Sequence, residues 1–360
     1  MPSATAISTA SAASAMGANR GVVRRAIALI IHWRGAAWGG RAAPEEAVGT
    51  GCRMRPMTRR RFLILIGTPL LTLLVGSALY IGVAWVIVEQ ALVAEAKPFE
   101  QTPEELGLAY EDIAFAPRGW DGITLRGWYF PNPGADATVV LVHGLDGTRS
   151  GDLELVRDLL ARGFAALTFD LRGHGESDRA QMGAALREQD DVLGAVDFVL
   201  SERGAEPGRV LLLGFSYGGA IVLLTGVQEP AVAGVYADSA FASMADVLVK
   251  EVADRTPVSL WGARVLEPGI VRASRWFKGI DLAAVRPEAA ASEYGYVLGL
   301  AHCEDDERIS IDHLWRLRDA ASMEPRLAVY SGCEHAGAYD EYPVRYVEEL
   351  VSYFDERLGE

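Results

Sequence analysis

From Phe62 to Val88 the chain runs 27 residues without a charged side chain, FLILIGTPLLTLLVGSALYIGVAWVIV. A helix needs about 20 apolar residues to cross a bilayer core of about 30 Å. A helix packed on a globular core keeps a polar face for water, whereas this run is apolar all round. It predicts one membrane-spanning helix over 62–88. Arg53, Arg55, Arg59, Arg60 and Arg61 crowd its N-terminal end, and the positive-inside bias keeps such a cluster in the cytoplasm, which places the chain after Val88 on the outer side. The rival is a secretory signal cleaved after the small residues of Ala94-Glu95-Ala96. A signal's apolar core is only about 7 to 15 residues, so length favours an uncleaved anchor.

Beyond a linker over 89–102, the pattern changes period. Short β-prone runs recur at 123–130 (ITLRGWYF), 138–144 (TVVLVHG), 164–173 (FAALTFDLRG), 209–216 (RVLLLGFS), 232–239 (VAGVYADS), 295–303 (GYVLGLAHC) and 326–333 (RLAVYSGC). Between most of them lie stretches with apolar residues at three- and four-residue spacing, among them DLELVRDLLARG, QDDVLGAVDFVLSERG and PVRYVEELVSYFDERL. Strand alternating with helix predicts an α/β domain over 103–360, a mostly parallel sheet with helices on both faces. The rhythm breaks between Ser239 and Gly295, and a helical lid is expected over about 240–294. Its apolar residues include Trp261, Val265, Leu266, Ile270, Val271, Trp276 and Phe277.

Charge divides the chain in the same places. Residues 1–61 hold ten Arg against two Glu and show no sustained period, so this basic segment is assigned no fold. The remainder carries a net charge of −22. A surface that acidic repels phosphate backbones, which argues against nucleic acid as a partner. No Cys or His pair has zinc-type spacing, and nothing in the sequence calls for a metal or a cofactor.

The candidate chemistry lies where the strand RVLLLG runs into Gly-Phe-Ser-Tyr-Gly. In parallel sheets reactive groups gather at the carboxyl ends of strands, where helix N-termini point into one edge. Gly214 and Gly218 remove the Cβ atoms that would collide in a tight strand-to-helix turn, which presents the Ser216 hydroxyl. The helix that follows offers the free backbone N–H of Tyr217 to a developing oxyanion. A serine needs a base, and the base an orienting carboxylate. Of the six histidines, His32 precedes the span, His143 and His174 lie in earlier loops, His302 ends a strand and His313 falls in a predicted helix. His335, in the small-residue loop after the last strand, remains as the base. The acid is sought among Glu304, Asp305, Asp306 and Glu307, after the preceding strand.

Residues 105–360 resemble the α/β-hydrolase superfamily of serine esterases, lipases and peptidases. The motifs that carry the resemblance are VHGLDG, similar to the family's oxyanion loop; DLRGHGESD; the elbow GFSYGG; AHCEDDERIS, similar to the family's acid loop; and GCEHAG around the histidine. The resemblance implies a Ser216–His335–Asp306 triad, with the backbone N–H of Leu145 as second oxyanion donor beside Tyr217 and structural roles for His143, Arg172 and His174. Cys303 and Glu334 stand where the family usually has glycine, so Asp305 and Asp238 remain alternatives for the acid. Cys303 and Cys333 end two strands expected to be neighbours, and either a disulfide or two buried thiols fits that placement. The function expected is a membrane-anchored serine hydrolase acting on carboxylic esters, with lipid-like esters as one candidate class, through an acyl-enzyme. A peptidase or acyltransferase on the same triad, or an inactive scaffold, are the alternatives.

Overall fold

The computed structural model describes residues 58–95 and 97–359; the expectations for the basic segment up to residue 57 lie outside them. Eight strands form one sheet: β1 (Glu111–Phe115), β2 (Leu125–Phe130), β3 (Thr138–Val142), β4 (Ala165–Phe169), β5 (Val210–Phe215), β6 (Val232–Asp238), β7 (Gly299–Cys303) and β8 (Arg326–Tyr330), in the spatial order β1-β2-β4-β3-β5-β6-β7-β8. β2 runs antiparallel to both β1 and β4, and the pairs from β4 through β8 are all parallel. This is the expected α/β architecture, with one strand the periodicity did not predict. β1 reads EDIAF and buries only Ile113 of its five residues, so an edge strand this short leaves no alternation to detect.

The central strands read as unbroken apolar runs because both faces are covered. Successive residues serve opposite cores: Val140 and Leu212 pack on one face with Ile221, while Leu141 and Leu213 pack on the other with Tyr353 and Phe354. The helices Leu153–Ala161 and Pro343–Leu358 cover the second face, and Glu188–Glu202 and Tyr217–Gly226 the first.

The apolar run forms a helix over Arg59–Ala91, three residues longer than the uncharged stretch at each end. Its side chains from Phe62 to Leu79 are exposed, whereas Ala84, Ile87 and Val88, one face of the last turns, are buried. The chain beyond it is held to the domain. Leu92 and Ala94 are buried, the Leu92 carbonyl accepts from the Met182 amide at 3.2 Å, and the Glu95 amide donates to Asp146 at 2.8 Å. After β6, the helices Met244–Arg255 and Leu260–Ala273 form the lid over the carboxyl edge of the sheet.

Candidate active site

Ser216 follows β5 at φ 54° and ψ −112°, in a region that non-glycine residues rarely adopt. The two glycines of the pentapeptide make that turn possible. A Cβ on Gly214 would lie 2.3 Å from the Gly218 carbonyl oxygen, and one on Gly218 would lie 2.1 Å from the Val142 carbonyl oxygen. The turn is pinned from beneath by the Ser216 amide, which donates to the Asp238 carbonyl at 2.7 Å.

His335 and Asp306 arrive from the loops after β8 and β7. His335 Nε2 lies 2.7 Å from Ser216 Oγ, and His335 Nδ1 lies 2.7 Å from Asp306 Oδ2. With the proton on Nδ1 donated to the carboxylate, Nε2 is left as an acceptor facing the hydroxyl. The other carboxylate oxygen, Asp306 Oδ1, accepts the amides of Arg308 at 2.9 Å and Ile309 at 2.8 Å. Burial pushes this carboxyl's pKa up, but hydrogen bonds from His302 and His335 and from the Ile309 amide outweigh it and hold the group well below the usual carboxylate range.

The two alternative acids are engaged elsewhere. Asp305 accepts the Gly332 amide at 2.8 Å, and Asp238 accepts the Ser239 hydroxyl at 2.9 Å from beneath the serine turn. Burial raises the Asp238 pKa. Neither makes a hydrogen bond to His335. Cys303 and Cys333 are joined in a disulfide with Cα atoms 5.5 Å apart, tying the strand before Asp306 to the loop that carries His335.

His302 is a participant that sequence reasoning set aside. Fully buried, its Nε2 sits 2.8 Å from the Ile309 carbonyl and 3.3 Å from Asp306 Oδ2. The signal was its position four residues before the acid in AHCEDD, at the end of an otherwise apolar strand.

The His143-Gly144-Leu145 loop leaves the end of β3 beside the serine. A Cβ on Gly144 would lie 3.5 Å from Ser216 Cβ, and Leu145, Ser216 and Tyr217 line the same pocket. Tyr217 opens its helix, where an amide has no carbonyl a turn back to bond; its own side chain is fixed by the Ala185 amide donating to its hydroxyl at 2.6 Å. His143 holds the loop rather than facing the pocket. Its Nε2 accepts the Leu171 amide at 3.0 Å and its Nδ1 lies 2.8 Å from the Gly144 carbonyl, while burial lowers its pKa to about 4, so it is neutral. His174, also lowered to about 4 by burial, accepts the Asp146 amide at 3.3 Å. Arg172, fully buried, pairs with Asp191 at 2.6 Å.

The pocket in front of Ser216 is walled by Met182, Phe241, Met244, Leu248, Val252 and Ile270, together with Val88, Ala91 and Leu92 of the apolar helix and the segment after it. At its rim, Arg308 pairs with Glu251 at 3.1 Å and Arg255 pairs with Asp146. A pocket so lined is suited to an apolar group bound next to the hydroxyl.

The sequence model described as serine aminopeptidase, S33, matches residues 133–267, which include Ser216 but stop short of Asp306 and His335. The uncharacterized protein YfhR of Escherichia coli O157:H7 is 29% identical over 251 residues, 68% of this chain and 80% of that protein. The esterase Pf2001 of Pyrococcus furiosus superposes with a TM-score of 0.58 at 18% identity, over 74% of this chain and 98% of its own. The chain is a member of the α/β-hydrolase superfamily. The α/β hydrolase GrgF of a Penicillium species shares the fold, with a TM-score of 0.57 at 16% identity over 70% of this chain and all of its own. This α/β-hydrolase therefore carries a fold of the serine-hydrolase type.

Proposed function

We propose that the protein is a membrane-anchored serine hydrolase that cleaves carboxylic esters through an acyl-enzyme. The observation that carries the reading is the unbroken hydrogen-bond chain Ser216–His335–Asp306, at 2.7 Å for each link, opening onto an apolar pocket. In this reading Ser216 Oγ attacks the acyl carbonyl carbon while its proton passes to His335 Nε2, and the carbonyl electron pair moves onto oxygen. The amides of Leu145 and Tyr217 stabilise that oxyanion, where one such donor is worth about 3 to 4 kcal/mol of barrier. Collapse expels the alcohol, which takes the proton from Nε2, and leaves the acyl group on Ser216. A water molecule then repeats the sequence and releases the acid. Asp306, ionised throughout, holds the imidazole in the required tautomer. The exposed apolar length from Phe62 onward, behind its arginine cluster, supports anchoring with the catalytic domain on the outer side.

A peptidase has one observation in its favour, the description of the matching S33 family. Against it, the acidic group nearest the pocket, Glu251, is neutralised by Arg308 and is not free to hold a substrate's amino terminus. Labelling by a fluorophosphonate and turnover of a p-nitrophenyl ester panel, beside an aminoacyl p-nitroanilide panel, test the choice. Ester turnover and labelling are expected, both lost in Ser216→Ala. Labelling that persists in that variant refutes the assignment of the serine, and turnover of anilides alone refutes the ester reading.

A further inference from the structure

The apolar helix and the lid are keyed together. The Tyr80 hydroxyl donates to the Val265 carbonyl at 2.8 Å and accepts from the Gly269 amide at 3.1 Å, so it stands between two groups that would pair directly in a regular helix. Gly269 leaves room for it: a Cβ there would lie 2.5 Å from the Tyr80 ring. Further along the helix, the Trp85 and Phe277 rings meet at 5.9 Å and Lys278 pairs with Glu89 at 2.5 Å.

This joint sets the depth of the lid. At 1.5 Å per residue, a core about 30 Å thick takes roughly 20 residues; counted from Phe62, it ends close to Tyr80, the residue that holds the lid helix. Tyr and Trp favour that headgroup level. The lid turns an apolar surface outward there, with Trp261 75% and Trp276 65% exposed and Leu260, Val265 and Phe277 about half exposed. Exposed Arg264, Arg272 and Arg275 lie among them, in a domain whose net charge is strongly negative. An apolar face with exposed arginines along the same segment matches an anionic lipid surface. Directly behind it, Val88 and Ala91 of the apolar helix and Ile270 of the lid form walls of the pocket at Ser216.

We propose that the last turns of the anchor helix are part of the acyl-binding pocket, and that the site draws long-chain acyl esters from the adjoining leaflet across the lid face bearing Trp261 and Trp276. The proposal rests on the ester-hydrolase and anchoring readings above and adds the substrate class and its route. Val88 and Ala91 then set chain-length preference. A soluble short-chain esterase with an incidental anchor would show no such dependence.

The test uses the full chain in vesicles of mixed neutral and anionic phospholipid. Ala91→Phe, which fills the wall, lowers the ratio of p-nitrophenyl dodecanoate to butyrate turnover at least about tenfold; Val88→Ala, which recedes it, raises that ratio about threefold. The opposite signs separate a wall effect from misfolding. In Trp261→Ser/Trp276→Ser, the ratio of vesicle to detergent-micelle turnover of one long-chain ester falls at least about fivefold. A chain-length ratio unmoved in both wall variants, or an unmoved vesicle-to-micelle ratio, overturns the proposal while leaving ester hydrolysis standing. Wild-type protein that turns over no ester removes the reading beneath it instead.

Discussion

Replacing Gly218 with alanine would put a Cβ 2.1 Å from the Val142 carbonyl oxygen and 2.6 Å from that of His143. Real Cβ atoms essentially never approach closer than 3.0 Å, so the end of β3 and the start of the helix after Ser216 must separate by about 0.9 Å. The atoms struck are backbone, with no rotamer to move aside. Overpacking of this kind costs about 1 to 3 kcal/mol, a fall of roughly 2 to 12 °C in Tm for a domain of this size. The larger effect falls on chemistry, because the displaced carbonyls begin the loop that carries the Leu145 amide. A misplacement of about 1 Å costs around 10²-fold in rate, and full loss of an oxyanion donor about 10² to 10³. Gly218→Ala is therefore expected to lose at least about 10²-fold in kcat on a short ester, with KM little altered. Gly219→Ala is the milder comparison, since its Cβ would meet the Ala240 side chain at 3.0 Å. The assay is steady-state hydrolysis beside a thermal melt. A lowered Tm with wild-type kcat refutes the role given to the Leu145 loop, and no change in either refutes the geometry of the turn.

Acid should weaken the His143 site in a defined window. Above pH 6.5 the ring is neutral folded and unfolded; below it the unfolded chain takes up a proton that the folded state refuses until about pH 4, so stability falls on acidification. At pH 5 that difference amounts to about 2 kcal/mol. The stability advantage of wild type over His143→Asn, measured by denaturant unfolding, should narrow by about that much between pH 7 and pH 5, and a constant gap refutes a neutral buried ring. The Cys303–Cys333 bond closes a loop with a sequence separation of 30; the chain-entropy relation gives about 3 to 4 kcal/mol for it. Reduction, or Cys333→Ser, should lower the unfolding midpoint accordingly, and peptide mapping that finds both thiols alkylated in unreduced native protein removes the bond.

What could be read from the residues follows from how local each signal is. The apolar helix through 62–88, the alternation of strand and helix, and the glycines around Ser216 are written in local stretches of chain, and hydrophobic period or steric necessity decodes them directly. The carboxylate that meets His335 is not local. Glu304, Asp305, Asp306 and Glu307 are chemically interchangeable in a string, and only the path of the loop separates them, turning Asp306 to His335 while Asp305 caps the Gly332 amide. His302 was hidden by the same limit, since a histidine at the end of a buried strand gives no sign of which carboxylate it will meet. The role of the apolar helix is the clearest case. By composition it is a span that ends at Val88, followed by a linker. The pairing of Tyr80 with the Val265 carbonyl and the Gly269 amide depends on residues 185 and 189 positions apart. No periodicity reports such a contact, yet a physical trace of it was present. Gly269 follows Pro268 inside a predicted lid, a pair that weakens a helix unless something else occupies its ladder. The tyrosine hydroxyl is that occupant, and through it the lid is fixed to the apolar helix whose last turns wall the pocket at Ser216.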